Sequence, residues 1–93
     1  MITDVVISNK LEKKLKKLPQ HILVNLKAWV ENVSFLGLEA VRKVPGYHDE
    51  PLKGARSNQR SIRLSRNYRA IYSVQRIHAK AIIIIKEVSN HEY

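Results

Sequence analysis

The sequence predicts an α+β fold in the order β-α-α-β-β-β, with two N-terminal helices packed on a mainly antiparallel four-stranded sheet. Three observations carry this. A β-branched run opens the chain, two amphipathic helical stretches meet at a proline, and three strand-like runs separated by turn signals fill the C-terminal half.

Residues 2–7 hold Ile2, Thr3, Val5, Val6 and Ile7, residue types that suit a first strand. Ser8 can cap a following helix. Over residues 9–18, Leu11, Leu15 and Leu18 form one apolar stripe, with Lys10, Lys13, Lys14, Lys16 and Lys17 around the rest. Pro19 ends that helix and can serve as the first residue of the next. Ile22, Leu26, Trp29, Val30 and Val33 keep helical spacing, Gly37 supplies a stop, and Leu38–Val44 adds a further short helical turn.

Pro45-Gly46 is a turn dipeptide, and residues 47–59, poor in core-type residues, read as a loop. Arg60–Ser65 then alternates, with Ile62 and Leu64 on one face and Ser61 and Arg63 on the other. Asn67 turns the chain. Tyr68–Val74 puts Tyr68, Ala70, Tyr72 and Val74 on one face, and Arg76–Ala79 is a second turn. Ala81–Val88 is apolar on both faces through Ile82–Ile85, as a central strand would be, beside the N-terminal one.

A chain of 93 residues fits one domain, 1–93. The absence of cysteine removes disulfides, thiolate metal sites and thiol nucleophiles. The N-terminus lacks a positively charged signal-peptide segment, and the apolar run Ala81–Ile85 is far too short to span a bilayer, so a cytoplasmic protein without a membrane partner is expected. Seventeen Lys+Arg against eight Asp+Glu give a net charge of +9. A field of that sign attracts nucleic acid, ribosome, anionic membrane or an acidic protein.

The charge concentrates usefully. Lys53, Arg56, Arg60, Arg63, Arg66 and Arg69 fall in one stretch without an acid among them. Arg63 and Arg69 are out of phase with their apolar neighbours, so both leave the core layer. Arginine's planar fork suits phosphate, although a solvated face is the plain alternative. The lysines of the first helix read as solvated surface. Within the loop segment His48–Gly54, Glu50 is a candidate general base and Lys53 a candidate phosphate contact. At the C-terminus, His91 and Tyr93 can donate a proton or stack on a base. His21 and His78 have no assigned role. The histidines show no metal-ligand spacing, and no Gly-rich phosphate loop or Ser-His-Asp pattern appears, so no metal or other cofactor is expected.

Glu50-Pro51-Leu52-Lys53-Gly54, Arg60-Ser61-Ile62-Arg63-Leu64, Tyr68-Arg69-Ala70-Ile71-Tyr72 and the closing His91-Glu92-Tyr93 together resemble the RelE/YoeB/HigB toxins of bacterial type II toxin–antitoxin systems. The resemblance spans the chain, since the element order matches as well. It implies a RelE-like, microbial-RNase-like fold that enters the ribosomal A site and cuts mRNA without a metal, by attack of a 2′-hydroxyl on the neighbouring phosphate. It implies Glu50 as general base, Arg69 as the group stabilising phosphate charge, and His91 and Tyr93 as acid and stacking or orienting group. Lys53 falls where related toxins carry a basic residue, and His48 is a further acid–base candidate. Glu92 separates His91 from Tyr93, residues adjacent in related chains, so Glu92 joins His48 and His91 as a candidate acid. The implied partners are a cognate acidic antitoxin, mRNA and the ribosome.

Two other readings compete. A ParE-like protein would share the fold but inhibit DNA gyrase without cutting RNA. A plain RNA-binding module would use the basic surface and have no need of Glu50 or His91.

Overall fold

A computed structural model describes residues 1–90. Its elements are β1 (Val5–Ile7), α1 (Asn9–Leu15), α2 (Gln20–Leu36), α3 (Leu38–Arg42), β2 (Glu50–Pro51), β3 (Gln59–Arg63), β4 (Tyr68–Ile77) and β5 (Lys80–Asn90). The Ser8 hydroxyl accepts from Leu11 N at 3.2 Å and starts α1. That helix ends at Leu15, earlier than its leucine stripe suggests, because a tighter turn carries the chain to Pro19. Gly37, at φ +87° and ψ +152°, takes an extended positive-φ conformation that is essentially reserved for glycine, and this separates α2 from α3.

The sheet has five strands in the order β1-β5-β4-β3-β2. The expected four are joined by β2, a two-residue edge strand within what reads as loop; two residues are too few to show a period of two. β1 pairs parallel with β5, and the other neighbours are antiparallel. The C-terminal strand therefore lies beside the N-terminal one, with β4 in the middle. The β4–β5 hairpin turns through His78 and Ala79, both at positive φ, which matches the right-handed twist of the paired strands.

The helices cover one face. Leu11, Ile22, Leu26, Trp29, Val33, Leu38 and Val41 pack on Ile62, Leu64, Ala70, Tyr72, Ile83 and Ile85. A bulge in β5 skips Lys86, since Tyr72 pairs with Ile85 and Ile71 with Glu87. The extra residue keeps both Ile85 and Val88 on the helix side and puts Glu87 on the open side. Among the described residues, no helix is long and apolar enough to cross a membrane.

Candidate active site

The register assembles two cross-strand rows, polar apart from Ile71, on the open face of the sheet. Glu50 stands opposite Ser61, Ser61 opposite Ile71, Arg63 opposite Arg69, and Arg69 opposite Ser89. Directly opposed residues project to the same side. Arg69 Nη1 donates to Ser61 Oγ at 3.1 Å. Glu50, Pro51, Leu52, Ser61 and Arg69 then line a cavity of about 200 Å³. A carboxylate and a guanidinium thus share one small concavity, separated by a buried serine.

The other basic residues distribute around this pair. Lys53 is exposed where a short 3₁₀ turn, Gly54–Arg56, begins. Arg56 bonds Gln59 Oε1 and pairs with Glu87 at 2.6 Å on the open face. Arg66 is exposed in the β3–β4 turn. Arg63 has the strand phase expected of it, but its Nε donates to Ser65 O at 3.3 Å and its side chain lines a separate groove with Asn25, Val44 and Tyr47. Arg63 borders the free part of the β3 edge, beyond the last β2 pair, and there it can turn away from the Arg69 cavity.

Arg60 differs from the rest of the basic stretch. It is in phase with Ile62 and Tyr72 on the helix side, and its Nε bonds Asp49 Oδ1 at 2.5 Å. The Asp49 side chain is 1% exposed. Tyr72 OH donates to the other Asp49 oxygen at 2.5 Å and accepts from Arg42 Nε at 3.2 Å. Burial works against the Arg60 charge, but the bond and attraction of Asp49 outweigh it and raise its pKa. Burial, then the bond to Asp49, pushes the Tyr72 phenol up to about 12.

The sequence alone assigns Ser61, Asp49 and Tyr72 no role at the site. A signal for the last two exists: a charged residue in core phase, as Arg60 is beside Ile62, calls for a buried partner. His48 is exposed at the left-handed φ of +45°, one residue before Asp49. His91, Glu92 and Tyr93 lie outside the described residues. Among the described residues no group of three or more His, Asp or Glu is placed to hold a metal ion. The chemistry available to the cavity is proton acceptance by Glu50 beside stabilisation of an anion by Arg69.

No protein-family model and no curated protein sequence matches the chain. Solved structures do. A YoeB/ParE toxin from Agrobacterium tumefaciens superposes with a TM-score of 0.65 at 15% identity, covering 96% of this chain and 99% of that one. YafQ from E. coli gives a TM-score of 0.67 at 15% identity, over 95% and 92%. The toxin–antitoxin complex RelBE2 from Mycobacterium tuberculosis gives 0.63 at 22% identity, over 98% and 100%. At such identities the likeness concerns the fold, over nearly the full length of both chains, and the chain has the α+β fold of the RelE/YoeB-type toxins.

Proposed function

We propose that this chain is the toxin of a type II toxin–antitoxin pair and a ribosome-dependent mRNA endonuclease. The observation that carries the reading is the cavity shared by Glu50 and Arg69 on the uncovered face of a RelE-like sheet. The net charge of +9 suits a polyanionic substrate and an acidic antitoxin. Several of the similar structures are toxin–antitoxin complexes, including YoeB–YefM from Staphylococcus aureus.

In this mechanism Glu50 takes the proton of a ribose 2′-hydroxyl, whose oxygen attacks the adjacent phosphorus. Arg69 stabilises the charge that builds on the phosphoryl oxygens. The P–O5′ bond breaks, leaving a cyclic phosphate, and the departing 5′-oxygen takes a proton from His91, Glu92 or His48. Tyr93 stacks on a base. Lys53, Arg56 and Arg66 meet the RNA backbone at the rim, with Arg63 further out. Arg60 is held by Asp49 on the helix side of the sheet and takes no part in this contact with RNA. The protein acts in the cytoplasm, at the ribosomal A site.

Mapping mRNA 5′ ends in translating cells tests this, with a Glu50→Ala/Arg69→Ala variant alongside. New cuts within translated codons that vanish in the variant are expected. Growth arrest without cuts, accompanied by trapped gyrase–DNA complexes, overturns the nuclease reading in favour of a ParE-like one.

A further inference from the structure

β2 is a weak platform for a general base. It has two residues, one of them proline, and lies at the edge of the sheet. Its pairing consists of Glu50 with Ser61 and Pro51 with Arg60, continued by one bond from Leu52 N to Gln59 O at 2.9 Å. A one-residue slip would move Glu50 to the core side and bring its neighbour to the open face. Backbone pairing this short does little to prevent that.

The side chain of the preceding residue does prevent it. Along an extended chain, neighbours project to opposite sides, so Asp49 enters the helix-side layer as Glu50 leaves it. There both Asp49 oxygens are engaged, one by Arg60 and one by Tyr72. Arg60 Nη2 also reaches the Asp49 backbone oxygen at 3.2 Å. Arg60 and Tyr72 are themselves cross-strand partners on β3 and β4. The Tyr72 ring rests against Trp29, with centroids 5.3 Å apart. Asp49 is therefore bolted to the two strands that carry Ser61 and Arg69. Charge-assisted bonds to a buried carboxylate are strong, and any slip that exposed Asp49 would strand both donors.

We infer that Asp49, clamped by Arg60 and Tyr72, is the positioning residue that holds Glu50 in register opposite Ser61 and in the cavity it shares with Arg69. The inference rests on the proposed role of Glu50. It assigns Asp49 no contact with substrate. Its action is to keep the Glu50 carboxylate within reach of the attacking hydroxyl, and misplacements of about 1 Å cost on the order of 100-fold.

The test measures cleavage of ribosome-bound mRNA by the full chain, in a cycle of Asp49→Asn, Glu50→Gln and the double variant. Rates are normalised to folded protein by circular dichroism. Asp49→Asn should lower kcat on the order of 10- to 100-fold with KM moving less than about twofold. In the Glu50→Gln background it should have no further effect, because a misplaced base matters only where a base is present. Tyr72→Phe removes one anchor, keeps the ring against Trp29, and should give a smaller kcat loss with the same dependence on Glu50; it carries the test if Asp49→Asn does not fold. Unchanged kcat in the single variants, or an equal loss with and without Glu50, overturns the positioning role. Full activity of Glu50→Gln alone overturns the reading of the site and this inference with it.

Discussion

Arg69 donates to Ser61 Oγ at 3.1 Å, and Ser61 is the direct cross-strand partner of Glu50. The serine is 6% exposed, so the bond sits in the cavity floor. It fixes one edge of the guanidinium and orients its planar fork relative to the carboxylate. Arg69→Ala should lower cleavage on the order of 100- to 1,000-fold. Arg69→Lys should recover little of it, because an ammonium cannot present two parallel donors to a phosphate. Ser61→Ala removes only the orienting bond and should cost about tenfold. Single-turnover cleavage of ribosome-bound mRNA measures all three, and a lysine variant near wild-type rate would contradict the bidentate role.

The Tyr72 phenol makes a prediction about alkaline stability. Its pKa in the folded chain is about 12, against an ordinary value of 10.0. A folded-state pKa raised above the unfolded one means the proton is held more tightly in the native protein. The contribution is complete below about pH 10 and is lost as pH rises through about 12. The two-unit gap corresponds to roughly 2–3 kcal/mol. Denaturant unfolding of wild type and Tyr72→Phe, compared from pH 8 to 12, should show a constant gap that narrows by that amount above pH 10. Other groups titrate in this window too, so the difference between the chains is the informative quantity.

These two sites differ in how far the sequence reveals them. The leucine stripe of α1, the spacing of Ile22, Leu26, Trp29 and Val33, and the alternation around Ile62 and Ala70 are periodic signals several residues long. Each corresponds to an observed element. Arg69's place on the open face follows from the same alternation. β2 has no such signal, because tertiary pairing with β3 defines it. The β5 bulge is hidden as well, since Ile82–Ile85 is apolar in either register and only the offset between Tyr72–Ile85 and Ile71–Glu87 exposes it. Arg60 is the instructive case: read by charge it belongs with the other basic residues, and read by phase it belongs with Ile62. Phase prevails because Asp49 compensates the charge in place.

Gly37 is a local weak point for substitution. Its φ of +87° lies where side-chain-bearing residues are strained, and an added Cβ would fall 2.4 Å from Met1 Cγ. The methionine side chain can move, so the lasting cost is the backbone. Gly37→Ala should destabilise the chain by about 1–3 kcal/mol without affecting the cavity residues. Chemical denaturation measures the loss. Catalytic rate per folded molecule should be unchanged, which separates a stability effect at the α2–α3 junction from an effect on the site.

Trp29 links the core to the site and poses a sharper question. It is fully buried, lies against Tyr72, and its Nε1 has no hydrogen-bond partner among the described residues. Truncation to alanine removes a large buried side chain and leaves a cavity, for an expected loss of about 3–5 kcal/mol. Trp29→Phe also opens space, but it removes a buried donor whose desolvation costs about 1–3 kcal/mol. The two effects oppose each other, so Trp29→Phe should cost about 1 kcal/mol or less while keeping an aromatic surface for Tyr72. Urea unfolding followed by far-ultraviolet circular dichroism compares the three chains. A phenylalanine variant as unstable as the alanine one would mean that indole packing, rather than the unpaired donor, dominates at this position.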